Sequence, residues 1–558
     1  MKFFSLALLI RFVKWCLLSA VVMLSGCGNT SRYFDAIPNS LTLSVNQSPQ
    51  FVTDFSHKST DDLYNYCLGV VPQSTERLVN SIVCTHALLA RDDVSLSQRQ
   101  FALGRHRNAL MRLLILKLEG LEDRAHLHTG IDLNVPIIFA SRIKAREPSL
   151  QPKVLGDYGI AVVVRKNDLH QQVDSTDNTL KGYYPQEGEF RSYTLMFDGI
   201  KVDGKEVLIK ISKQPINERT TIRVGRNAYL ARYSPSAAYV ALLNNSTIDA
   251  MSWKGFVGSD LAEERRGVYA IGPLSDTKIP LIMIHGLNSD PLVWRYLSVA
   301  ILNDEWLNER YQLWHVLYPT GQPPFYNAMK VRRELNELLD RLENPLLKRE
   351  AVYIGHSMGG LISKLLTTES GSDFWQATFA VSKSDYERYS TADIDELFFF
   401  SPLFERNTVF FLDTPHKGSA LATSTIGYIG NKLVSLPVSL THLFDGIVSA
   451  LGNDIFTPSM RPYIENTRFK SLDVLAPGHP LMDVLYNKRV QGDAYAVIGS
   501  SSEIECDTPT LCSLINDGVV NYDSAFTPDA LETIIVNSRH NSFKSPQAVD
   551  FIVEHLRN

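Results

Sequence analysis

The residues first able to do chemistry are Gly355-His356-Ser357-Met358-Gly359-Gly360, set between the apolar run 351–354 and a helix-like stretch, 361–366. A serine hydroxyl is a weak nucleophile, and it needs a base to take its proton and a third group to orient that base. Glycines on both sides let a strand break sharply into a helix, because a side chain there would meet neighbouring backbone. Such a turn lifts Ser357 to the carboxyl edge of a sheet. The base should lie beyond the last strand. Residues 533–537 read as that strand, residues 545–556 as a closing helix, and His540 stands between them. His356 sits inside the turn beside the serine, where geometry disfavours it as base, and His416 belongs to a separate motif. The acid that holds the imidazole in its tautomer should follow the preceding strand, residues 494–498. Asp517, in Asn516-Asp517-Gly518-Val519-Val520, is the choice, with Glu503, Glu505, Asp507 and Asp523 as rivals.

Upstream, the strand-like run Ile279–Ile284 leads into His285-Gly286-Leu287-Asn288-Ser289. Downstream of the serine stands Phe411-Leu412-Asp413-Thr414-Pro415-His416-Lys417-Gly418-Ser419. With the glycine-flanked serine and Asp517-Gly518, these segments resemble the lipase/esterase branch of the α/β hydrolases, which includes bacterial triacylglycerol lipases and inositol-deacylase-like hydrolases. The resemblance covers residues 275–558. It implies an α/β-hydrolase fold, a mostly parallel sheet flanked by helices, and a triad in the chain order Ser357, Asp517, His540. It also implies an oxyanion hole made by the backbone N–H groups of Leu287 and Met358, whose preorganised donors contribute a few kcal/mol. His416 and Ser419 carry over as rim residues, and His285, His356 and His416 are the candidate substrate contacts. Residues 368–407 and 420–490 depart from the pattern as insertions. The second is expected to be a helical cap, with Ile426, Leu433, Leu443 and Phe444 on an apolar face.

Several elements must position these groups. From residue 274 onward short apolar runs alternate with helical patterns, the signature of a parallel sheet with crossover helices. The catalytic region is therefore placed at 270–558. Before it, residues 61–125 show apolar spacings of three and four and read as packed helices. Residues 130–250 read as a small β module, with the Asp203-Gly204 pair as a tight hairpin turn.

The whole chain has 558 residues, more than one core usually serves. It is 44% hydrophobic and 21% charged, enough apolar surface for a folded body, and its net charge of −5 disfavours a nucleic-acid partner. Residues 1–27 read as an address: Lys2, Arg11 and Lys14, an apolar run, then Leu24-Ser25-Gly26-Cys27. This resembles a bacterial lipobox, which implies lipidation of Cys27, a membrane partner through that anchor, and a place in the cell envelope. Gly28 after the cysteine favours the outer membrane. Residues 28–60 suit a tether. Of the remaining cysteines, Cys67 with Cys84 and Cys506 with Cys512 are the pairings that proximity suggests, with buried free thiols as the alternative. No dinucleotide fingerprint or metal-ligand spacing stands out, and no cofactor is implied.

The function expected is cleavage of a carboxylic ester, an acyl or lipid ester preferred. A thioesterase, amidase or acyltransferase would use the same groups. From a different class comes a binding lipoprotein on a hydrolase scaffold.

Overall fold

The computed structural model describes residues 32–37, 43, 49–121, 127–131, 136–165, 178–246, 263–382, 391–420, 452–465 and 470–558. The expected leader, Cys27, most of the first half of the tether and the apolar helical run at 426–451 lie outside them. Among the described residues no helix is long and apolar enough to cross a membrane.

Helices α1 (Thr60–Gly69), α2 (Thr75–Leu89) and α3 (Leu96–Leu118) each begin after a serine, Ser59, Ser74 or Ser95, whose hydroxyl accepts an N–H of the first turn. Each such cap is worth about 1 kcal/mol. Their apolar stripes, including Leu78, Ile82, Leu110 and Leu114, pack on Val162, Leu195 and Ile209 of a five-stranded sheet. The strand order is Leu127–Thr129, Glu206–Pro215, Phe190–Asp203, Ile160–Arg165, Ile137–Phe139. Asp203 pairs with Glu206 across the hairpin, and Gly204 supplies its φ of 58°. Helices and strands expected as two units thus share one core, because neither the helical stripes nor the sheet face could be covered alone. Cys67–Cys84 joins α1 to α2.

Helix α4 (Pro235–Asn245) is buried at every position from Pro235 to Leu243. A helix apolar on all sides must be enclosed. Ala161 and Val163, on the far face of the small sheet, share its core, and its Tyr239 stands edge-on to His315 of a second, larger sheet.

That sheet has seven strands: β1 (Gly267–Ile271), β2 (Ile279–Ile284), β3 (Tyr311–Leu317), β4 (Glu350–His356), β5 (Arg406–Leu412), β6 (Gly492–Ser500) and β7 (Ala530–Asn537), in the order β1-β3-β2-β4-β5-β6-β7. Only β1 runs antiparallel. Central strands are apolar on both faces, as a sheet covered twice requires. Ala351 and Tyr353 of β4 enter one core with α6 (Pro324–Leu342) and α7 (Met358–Leu366). Val352 and Ile354 enter the other, with α5 (Arg295–Leu302) and α8 (Pro546–Arg557).

The described parts of both insertions join the first of these cores. Phe374, Trp375, Phe398 and Phe404 come from residues 368–407, and Phe456, Met460, Leu475 and Met482 from residues 420–490. These stretches cover the sheet.

Candidate active site

Strand β4 ends at His356, helix α7 starts at Met358, and Ser357 alone makes the turn, at φ 54° and ψ −124°. A side-chain-bearing residue held there costs on the order of 1–3 kcal/mol, and its surroundings must impose it. They do so by leaving no room. A Cβ at Gly355 would lie 2.5 Å from the Gly359 carbonyl oxygen, one at Gly359 2.1 Å from that of Ile284, and one at Gly360 1.9 Å from Thr414 Oγ1. The Ser357 N–H donates to the Leu412 carbonyl at 2.8 Å, which anchors the turn to β5.

His540 follows β7 and places Nε2 2.8 Å from Ser357 Oγ. Its Nδ1 lies 2.7 Å from Asp517 Oδ2. Asp517 is buried, and its Oδ1 accepts the N–H groups of Val519 and Val520, both at 2.7 Å. The Asp-Gly turn makes this possible, because Gly518 at φ 96° folds the next two amides back over the carboxylate. The His540 N–H also donates to the Asp517 carbonyl at 3.0 Å. The rivals Glu503, Glu505, Asp507 and Asp523 are exposed. Cys506–Cys512 closes the loop that leads to Asp517, and the Ser419 hydroxyl braces it by donating to the Val519 carbonyl at 2.6 Å.

On the other side of the serine, the loop after β2 runs so close that a Cβ at Gly286 would lie 2.9 Å from that of Ser357. Two residues following β3 hold it. Tyr318 stacks on the His285 ring at 4.5 Å and donates its hydroxyl to the His285 carbonyl at 2.6 Å. Thr320 Oγ1 accepts the Asn288 N–H at 3.1 Å. Leu287 sits between these two anchors. Met358 opens α7, where the first amides have no acceptor within the helix. The loop and helix start that carry these two amides therefore flank Ser357.

The three histidines expected to meet substrate do not line an open surface. His285, His356 and His416 are 0%, 5% and 1% exposed. Burial pushes His285 down to about 4 and holds His416 well below the ordinary value. His285 buttresses its loop, and His416 lies edge-on against Phe411 with its N–H donating to the Ser524 carbonyl. The expected rim residues, Ser419 and His416, thus brace the stretch around Asp517 and Ser524 from within. A cleft beside His540 is instead walled by Ser501, Gly518, Val519, Arg539 and Asn541.

Asp413, Tyr318 and Thr320 were given no role from sequence. Asp413 directly follows β5 at the same sheet edge as the serine, and that position is the signal that could have found it. The Tyr318 and Thr320 contacts depend on how β3 lies beside β2, which no local pattern encodes. His356, Asp413 and His540 bring ligand-capable atoms within 4.8 Å of one another. Both His540 nitrogens already face Asp517 and Ser357, and both Asp413 oxygens accept backbone N–H groups.

No protein-family model matches the chain, and no curated protein matches it. Solved structures similar to it include a lipase of Bacillus licheniformis in its mature form, at 18% identity and a TM-score of 0.30, covering 52% of this chain and 97% of that one. Another is a lipase of Staphylococcus hyicus, at 11% identity and a TM-score of 0.30, covering 51% of this chain and 97% of that one. A thioesterase domain from the curacin biosynthetic pathway is similar at 11% identity and a TM-score of 0.27, over 51% of this chain and 92% of that domain.

Proposed function

We propose that the chain is a serine hydrolase that cleaves carboxylic esters, acyl or lipid esters preferred, through an acyl-enzyme. The unbroken relay from Asp517 to His540 to Ser357, at 2.7 and 2.8 Å, carries this reading. Ser357 Oγ attacks the acyl carbonyl while His540 Nε2 takes its proton. Asp517 holds the ring with Nδ1–H toward its carboxylate and stabilises the imidazolium. The Leu287 and Met358 amides receive the charge that collects on the carbonyl oxygen. His540 then returns the proton to the departing alcohol, and a water activated by the same nitrogen releases the acid.

The test is labelling with a fluorophosphonate, which reacts with an activated serine. Labelling of the full chain that disappears in Ser357→Ala supports the reading, and an unlabelled wild-type protein sinks it in favour of a binding role. Turnover of p-nitrophenyl esters of increasing acyl length then ranks acyl against small esters.

The lipobox-like Leu24-Ser25-Gly26-Cys27 further supports a mature chain that begins at lipidated Cys27 and stands on the outer membrane of a bacterial envelope. Metabolic incorporation of a clickable fatty acid that survives in Cys27→Ala would refute the anchor.

A further inference from the structure

Behind the base lies a second carboxylate. Asp413 is fully buried and takes a left-handed backbone, φ 49°, to turn its side chain under the site. One oxygen accepts the Gly499 N–H at 2.8 Å, near the end of the strand that leads to Asp517. The other accepts the Ser542 N–H at 2.9 Å, just past His540 on the base loop. That oxygen is also 3.7 Å from Nε2 of His356, whose ring lies 4.9 Å from the ring of His540. One residue therefore touches the strand before the acid, the loop of the base and the neighbour of the nucleophile.

Its charge state follows from its surroundings. Burial would raise the carboxyl, but His356, His540 and the Ser542 amide outweigh burial and hold it below the usual carboxylate range. Burial pushes His356 down while Asp413 acts to raise it. A buried anion is costly unless donors and a positive charge stand beside it. The cation that forms here during turnover is the His540 imidazolium.

We propose that Asp413 is a positioning residue for His540, a second carboxylate that fixes the base loop and supplies permanent negative charge beside the imidazole in addition to Asp517. This rests on the reading of Ser357, Asp517 and His540 as the triad. The charged or titratable groups facing His540 are Asp517 from the acid loop, Asp413 from the end of β5, His356 from the end of β4 and Arg539 on its own loop.

The experiment is the pH profile of kcat/KM for the full chain and for Asp413→Asn, normalised to sites titrated by fluorophosphonate. Removing the anion makes the imidazolium less favourable, so the acidic limb moves down by about one unit and kcat/KM at neutral pH falls about tenfold. A purely structural role lowers the melting temperature and the titratable fraction but leaves the limb of the remaining active enzyme in place. An unmoved limb overturns the proposal. Failure of the triad itself shows differently, as full turnover in His540→Ala.

Discussion

Asp517 divides its carboxylate between two duties: Oδ2 stands 2.7 Å from His540 Nδ1, and Oδ1 takes the amides of Val519 and Val520. An asparagine keeps the shape but would have to present its NH₂ to one of these donors. Asp517→Asn therefore lowers kcat by about a thousandfold or more, with the serine retained but its base in the wrong tautomer. Steady-state kinetics on an ester, with labelling of Ser357 as the folding control, checks this. Activity within tenfold of wild type would show that another group orients the ring.

His540 itself should cost at least about a hundredfold in ester turnover when replaced by alanine. Near-wild-type activity of His540→Ala would refute its role as base.

The turn at Ser357 tests packing separately from chemistry. A methyl at Gly359 would sit 2.1 Å from the Ile284 carbonyl oxygen and 2.4 Å from that of His285, both backbone. Gly359→Ala is therefore expected to destabilise the chain by about 3 kcal/mol or more, within the range of severe core overpacking. Urea unfolding measures it, and a wild-type midpoint would mean that β2 and α7 are not pressed together as described.

Tyr318→Phe removes the hydroxyl bound to the His285 carbonyl while the stacked ring remains. One hydrogen bond contributes about 1 kcal/mol, so stability changes little. Because this contact fixes the loop carrying Leu287, kcat should fall about tenfold with KM nearly constant. A change confined to KM would separate Tyr318 from the oxyanion loop.

Acid should loosen the molecule through histidines that it buries neutral. Burial lowers His106 and His315 to about 3 and His86, His285 and His479 to about 4. Each is depressed relative to the unfolded chain, so the unfolded state binds more protons below about pH 6.5 and stability falls as pH drops from there toward 3–4. For His106 alone the loss at pH 5 is about 2 kcal/mol. Urea midpoints at pH 7 and pH 5 compare directly, and replacing His106 by glutamine should flatten the difference. An equal midpoint at both pH values would contradict the burial.

Much of the site was legible in the chain because its chemistry demands local signatures. The glycines around Ser357 record a turn with no space for side chains. His540 was legible from its place between a last strand and a closing helix, and Asp517 from the Asp-Gly turn after β6. The structure brings these three side chains into one hydrogen-bonded line. Long-range support was not legible. Asp413 reads locally as one polar residue in a motif, and its value comes from Gly499 and Ser542, which are 86 and 129 positions away in the chain. The burial of His416 was not legible for a related reason: a histidine in a motif shows no sign of which way its ring turns. Period marked the helical and β stretches of residues 61–250 but not their packing into one core, because period identifies an element and not the partner that covers it.

Helix α4 also bears on how this protein can be handled as a piece of biochemistry. Because it lies between the small sheet and the large one, the half that carries Ser357 is not a portable cassette. Excised near residue 265, that half would carry an uncovered scar at His315, which Tyr239 covers, and along Arg295–Leu302, which packs on α4. Any graft of this active site onto another scaffold has to bring the wedge along or repaint that face.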